Sequence, residues 1–342
     1  RNRMNEMDFV EALKKTPLNK ITDMPIGISS FEKIIKENFF YIDKTSLIED
    51  LINTSYEVTL FTRPRRFGKT LAMSMLENFF NIEKNSKELF SELKISKNTE
   101  LCNSYMNQFP TIFITLKEID GRNYTEAFDL FREKITNLYN NFSFLGDSDK
   151  LNAQDKELFK KLQIGIASEI EIIRALNTLT RLLYLHYNKP VVLLIDEYDV
   201  PLAKASDKGY YDKMLNVMRG FMQVFKDNNY LKFAVITGCL RISKESIFTG
   251  TNNFYVNSIT AKRYSEHFGF TDKEVQQLLS DTGALSQFPE IKEWYDGYNF
   301  GGTEIYCPWD VINYVNDYLY GEENLPKCYW NDTSDNAILR TF

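Results

Sequence analysis

The chain reads as an α/β protein, a three-layer sandwich with helices on both faces of a mainly parallel sheet. Three stretches predict this. Val58-Thr59-Leu60-Phe61-Thr62 is β-branched and aromatic, and Gly68-Lys69-Thr70 and a helical pattern follow it. Val191-Val192-Leu193-Leu194-Ile195 is apolar without alternation, which is how a strand covered on both faces reads. A further buried run, Leu231 to Thr237, comes after a helical segment, so strands and helices alternate along the chain as crossover connections require.

In chain order, residues 1–50 form a lead-in of short helix-like and strand-like pieces, among them Phe31-Glu32-Lys33-Ile34-Ile35 and Tyr41-Ile42-Asp43-Lys44-Thr45. The predicted core spans 51–260. Its first strand is followed by a helix whose Leu71, Met75, Leu76 and Phe79 share one face at spacings of four, one and three. Thr111 to Leu116 is the second strand, and a helical insertion of about 121–188 follows, broken near Gly146-Asp147-Ser148-Asp149. The last insertion helix, roughly 168–187, is apolar on much of its circumference and stops at Lys189-Pro190. From 261 to 342 the pattern changes to short helices, about 272–280, 287–296 and 308–319, separated by Gly-rich turns such as Gly301-Gly302. This predicts a smaller, mostly helical C-terminal subdomain.

Composition narrows the function classes. The chain has 342 residues, 43% of them hydrophobic, enough for a sizeable core, and no apolar run approaches the length of a membrane span. A cytoplasmic protein with reduced thiols is expected. Its net charge of −6 argues against a broad nucleic-acid coat. Cys102, Cys239, Cys307 and Cys328 lie far apart, and His186 and His267 are the only histidines, so neither a zinc site nor a Ser/His or Cys/His triad is expected. Arg1-Asn2-Arg3 ahead of Met4, and a tail without a stop signal, suggest a piece of something longer.

The chemistry is concentrated at strand ends. A turn whose N–H groups face a polyphosphate, a Lys for its charge and a hydroxyl for Mg²⁺ make a phosphate-binding loop, and Gly68, Lys69 and Thr70 supply these parts. The usual loop also carries a Gly where this chain has Arg63, and Pro64 stiffens the variant. The buried strand ending at Ile195 delivers Asp196-Glu197. On the functional reading Asp196 holds Mg²⁺ and Glu197 polarises a water for attack on the γ-phosphate; the plain reading is a polar strand end capping a helix. Asp199 reads first as an N-cap before Pro201, second as an outer support of the metal. Arg63, Arg65 and Arg66 are expected to bring at least one guanidinium to phosphate or to a nearby carboxylate, with Phe67 and Leu71 completing the nucleotide-contacting run. Thr237, at the end of its strand, can orient water, and Arg241 can bring charge to the γ-phosphate; an ordinary strand-to-loop turn is the alternative.

With Arg63-Pro64-Arg65-Arg66-Phe67-Gly68-Lys69-Thr70 and Ile195-Asp196-Glu197-Tyr198-Asp199-Val200-Pro201, the chain resembles a bacterial family of predicted AAA-like ATPases. Pro25-Ile26-Gly27, Phe40 to Thr45, Thr237 to Phe248 and Trp294 to Tyr298 look like further blocks of that family, Arg63 included as its own loop variant. The resemblance implies a P-loop NTPase core of strand order 5-1-4-3-2, with the Thr237 strand between the loop strand and the Asp-Glu strand. It implies ATP and Mg²⁺ as cofactors, Lys69 and Thr70 at the phosphate and metal positions, Asp196 and Glu197 at the metal and water-activating positions. It places the base near Ile26 and Tyr41 to Thr45. Members commonly carry a C-terminal PD-(D/E)xK-type nuclease domain, for which this chain shows no motif before Phe342.

Three functions follow: a Mg²⁺-dependent ATPase driving a conformational change on a protein or nucleic-acid partner, a nucleotide-binding regulator without turnover, or the motor half of a nuclease whose other domain lies beyond residue 342. Arg241 acts in cis in a monomer, whereas a ring assembly needs an Arg presented to a neighbour.

Overall fold

A computed structural model describes residues 23–239, 247–248, 251, 253–321 and 326–329. Its centre is a five-stranded sheet of β1 (Val58–Thr62), β2 (Thr111–Thr115), β3 (Val191–Asp196), β4 (Leu231–Gly238) and β5 (Phe254–Asn257). The order is β2-β3-β4-β1-β5, or β5-β1-β4-β3-β2 from the far edge, and every neighbouring pair is parallel. All loops at the carboxyl ends therefore share one edge. β4 lies between the loop strand β1 and the acid strand β3, which brings residues distant in sequence together there.

Alternation inside the apolar runs divides the core. Val191, Leu193 and Ile195 face one layer with the helices Tyr124–Asn140, Ala175–Tyr187 and Tyr211–Phe221. Val192 and Leu194 face the other, where Met75, Leu76 and Phe79 of the helix Lys69–Phe80 pack. Each strand thus buries both faces, and helices on either side make the three layers. The insertion helix expected over 168–187 is two helices, Glu169–Ile173 and Ala175–Tyr187, with Arg174 at the joint. Ser168 and Glu171 form a capping box that starts the first, and Ile170 within it is 64% exposed although the segment is apolar on much of its circumference.

The lead-in divides its contacts. Phe31, Leu47, Ile48 and Leu51 join the layer beneath the loop helix, while Met24, Phe40 and Ile42 pack with the C-terminal cluster around Leu278, Ile291 and Val311. That C-terminal part contains the helices Asp272–Asp281, Phe288–Tyr295 and Pro308–Leu319 but is not simply helical. β6 (Phe270–Thr271), β7 (Asp296–Phe300) and β8 (Thr303–Tyr306) make an antiparallel sheet of order β6-β8-β7. The Gly301-Gly302 turn joins two aromatic-rich segments, so it closes a hairpin rather than separating helices.

Candidate functional site

Gly68 starts the loop helix with φ +80, and a Cβ there would meet nothing within 4 Å, so conformation rather than space favours glycine. The helix Lys69–Phe80 that follows opens its first N–H groups at the carboxyl edge of the sheet. Lys69 is buried. Its Nζ donates to the Pro64 carbonyl at 2.9 Å, and it lies 3.5 Å from Cys239 Sγ and 3.7 Å from Glu197 Oε1. Thr70 Oγ1 donates to Asp196 Oδ2 at 2.8 Å.

Asp196 is fully buried, and three hydroxyls from three elements surround it. Besides Thr70, Thr237 Oγ1 donates to Oδ1 at 2.5 Å and Thr115 Oγ1 approaches Oδ2 at 3.4 Å. Thr237, expected to orient water, is instead turned onto the carboxylate of the adjacent strand. Thr115 was missed in the sequence although it is the register partner of Asp196 at the end of β2. Only strand pairing reveals that neighbour.

Glu197 adopts φ +54, unusual for a residue with a Cβ, and its side chain returns toward Lys69. Burial pushes its carboxyl above the ordinary value, Asp196 and Asp199 add to this, and Lys69 and Arg65 oppose it. A small cavity beside it is lined by Arg65, Asp199, Lys204 and Cys239. Burial likewise raises the Cys239 thiol to about 11, which keeps it protonated beside the Lys69 ammonium. Asp199 stands at the N-cap position of the helix Val200–Lys208 but makes no side-chain cap; its Oδ2 accepts from the Cys239 N–H at 3.1 Å. Gly238 allows this closeness, because a Cβ there would stand 2.5 Å from the Tyr198 ring and 2.7 Å from Asp199 Oδ1.

The arginines do not act together. Arg63 is fully buried with its guanidinium directed at β5 and the chain beyond it: Nη1 donates to the carbonyls of Asn257 (2.9 Å) and Thr62 (3.0 Å), and Nη2 to Asn257 Oδ1 (2.5 Å). This placement corrects the expectation of a phosphate contact. The residue replacing the first loop glycine is a core cation between Phe268 and Phe300, and burial lowers its ionisation to about 10. Arg66 also leaves the phosphate side, stacking 4.1 Å from the Trp309 ring centre. Phe67 is buried against Tyr298 and Phe300. Arg65 is the one of the three that lines the cavity next to Glu197. Arg241 lies outside the described residues.

On the other side of the loop an apolar cavity is bounded by Gly68, Leu71 and Ala72, by Tyr41 and Ile42 of the lead-in, and by Phe270 and Ile312 of the C-terminal part. The histidines take structural places, His186 Nδ1 at 2.7 Å from Ser148 Oγ and His267 Nε2 at 2.5 Å from Asp50 Oδ2. Asp272, Asp296 and Glu304 come close enough to hold a cation, but Lys292 Nζ lies within 3.6 Å of all three and balances part of their charge. No described helix is long and apolar enough to cross a membrane.

The donor set fits the cofactors the loop implies. A hydroxyl and a carboxylate oxygen are hard ligands suited to Mg²⁺, and a buried ammonium beside open helix N–H groups suits a polyphosphate. Comparisons with known proteins place the chain in a family. A curated protein of Azotobacter chroococcum mcd 1, described as an uncharacterized protein in vnfD 5'region, is 28% identical over 320 residues, covering 92% of this chain and 55% of the relative. The chain thus spans about half the length of that relative. A family model described as predicted AAA-ATPase matches residues 25–248, which take in the loop, the acid strand and β4, and on that match the chain belongs to the predicted AAA-ATPase family.

Proposed function

We propose that the chain binds ATP with Mg²⁺ at the carboxyl edge of β1, β3 and β4 and hydrolyses it, driving a conformational change on a protein or nucleic-acid partner. The observation that carries this reading is the Thr70–Asp196 hydrogen bond, which joins residues 126 apart in sequence directly beside the Lys69–Glu197 pair.

Lys69 exchanges the Pro64 carbonyl for phosphate oxygens, and the N–H groups that begin the loop helix bind the same polyanion. Thr70 and Asp196 would hold Mg²⁺, with Thr237 and Thr115 fixing the carboxylate in place. When bound, Mg²⁺ neutralises phosphate charge. Glu197 orients the attacking water and accepts its proton, a role helped by a carboxyl whose proton affinity burial has raised. Arg65 adds positive charge to the same cavity. The apolar cavity next to Leu71 takes the flat face of the base. With Arg63 committed to the core, its substitution for glycine is no argument against turnover.

Calorimetry with Mg-ATP tests the reading. Binding by the unaltered chain and its loss in Lys69→Ala are expected, together with phosphate release that Glu197→Gln abolishes. No heat of binding at any Mg²⁺ concentration would overturn it.

A further inference from the structure

Three side chains of the phosphate loop, those of Arg63, Arg66 and Phe67, make contact with one stretch of chain, 257–309. Arg63 donates to the Asn257 and Tyr264 carbonyls at 2.9 and 3.4 Å, with its guanidinium carbon 5.3 Å from the ring centre of Phe268 and 5.4 Å from that of Phe300. Phe67 meets Tyr298 edge-on at 4.7 Å, and its carbonyl accepts the Gly269 N–H at 3.2 Å. Arg66 covers Trp309, the second residue of the helix Pro308–Leu319. Arg66 also adopts φ +68, a left-handed conformation that is unfavourable for a residue with a Cβ. Such a conformation persists when surrounding contacts over-determine it.

A phosphate loop with its usual glycines folds around its anion by its own backbone freedom. Here Arg63, Arg66 and Phe67 carry bulky side chains that meet the 257–309 stretch instead.

We propose that the 257–309 stretch holds the phosphate loop in its ligand-ready shape, through Arg63, Phe67 and above all the Arg66–Trp309 stack, so that nucleotide binding and the seating of the C-terminal part are coupled. This rests on the nucleotide reading above. Arg66 and Trp309 are positioning residues: the Arg66 guanidinium carbon lies 4.1 Å from the Trp309 ring centre, and the pair acts on the nucleotide through the loop. Linkage makes the coupling reciprocal: if seating the C-terminal part tightens the nucleotide, the nucleotide tightens that seating by the same factor. A partner that binds the C-terminal part can thereby set nucleotide affinity without reaching the site.

The test has two arms. In the first, the ATP dissociation constant is measured by calorimetry for the unaltered chain, Arg66→Ala, Trp309→Ala, the double variant and Trp309→Phe. Each alanine variant is expected to bind about tenfold more weakly, the double variant no more weakly than either single one, and Trp309→Phe within about twofold of the parent, because a ring still faces the guanidinium. In the second, Trp294→Phe and Trp330→Phe leave Trp309 as the sole indole in a chain with an unaltered loop. Saturating ATP is expected to change its emission, and Arg66→Ala to abolish that change. Unaltered binding in both alanine variants, single effects that multiply in the double variant, or constant Trp309 emission at saturation would each overturn the coupling while the parent's binding leaves the nucleotide reading standing. Absence of binding by the parent would overturn both. The response of Trp309 emission to ATP is read first in a chain with an unaltered loop, so that measurement decides the matter even where Arg66→Ala fails to fold.

Discussion

Arg63 and Asn257 bond through both carbonyl oxygens of the asparagine, its main-chain oxygen at 2.9 Å and its Oδ1 at 2.5 Å, and so tie the start of the phosphate loop to the end of β5. The asparagine is held in turn: its Nδ2 donates to the Arg63-facing chain at the Arg263 carbonyl, 2.8 Å away. The loop's departure from the glycine pattern is therefore a structural joint.

Restoring glycine should do harm. Arg63→Gly leaves buried oxygens of Asn257 and Thr62 without a donor and empties the space between Phe268 and Phe300. A loss of about 3 kcal/mol or more is expected in denaturant titration. A variant as stable as the parent would contradict the role given to Arg63.

Glu197→Gln should separate stability from activity. The carboxyl is raised above its ordinary value of 4.5, so its stabilising contribution is complete below that value and is lost as pH rises through the folded-state value. Glutamine stays neutral throughout. The variant should therefore melt above the parent at neutral pH, with the difference closing as pH falls toward about 4.5. Hydrolysis should fall by about 10²-fold or more while ATP still binds. A melting difference that grew in acid would reverse the sign and refute the assignment.

Thr237→Val removes the hydroxyl that holds Asp196 Oδ1 and keeps the shape. A hydrogen bond to a carboxylate contributes about 1.5–3 kcal/mol, so the midpoint of a Mg²⁺ titration of ATPase activity should rise about tenfold or more. Binding of ATP in the presence of a chelator should change little. An unchanged Mg²⁺ midpoint would show that Thr237 does not serve the metal.

Ile42→Trp fills the apolar cavity beside Leu71 and Gly68. Affinity for ATP should drop by about tenfold, whereas inorganic triphosphate, which lacks a base, should bind as before. Equal losses for both ligands would place the base elsewhere.

Much of the architecture was legible because its signals are local. Val191 to Ile195 is apolar without alternation, and the structure buries that strand on both faces. Asp196-Glu197 at its end and Gly68-Lys69-Thr70 after β1 read as one site because parallel strands put all their carboxyl ends on one edge. The β7–β8 hairpin was hidden because Asp296-Gly297, which reads as a turn, is the start of β7 directly after the helix that ends at Tyr295. The capping box at Ser168 was present in the sequence, but the apolar run after it hid the joint at Arg174.

The sequence by itself determined the layers, the loop and the acid strand, because hydrophobic period and turn chemistry act over a few neighbouring residues. Tertiary structure alone decided where the long side chains go. Arg63, Arg65 and Arg66 are near-identical in sequence context, yet one enters the core at Asn257, one lines the cavity beside Glu197 and one lies on Trp309. Their partners come from elements up to two hundred and more residues away, as the Arg66 carbonyl and Cys307 illustrate with a separation of 241. A guanidinium settles where burial, hydrogen-bond acceptors and aromatic faces coincide, and that coincidence exists only once distant strands and helices have been brought together.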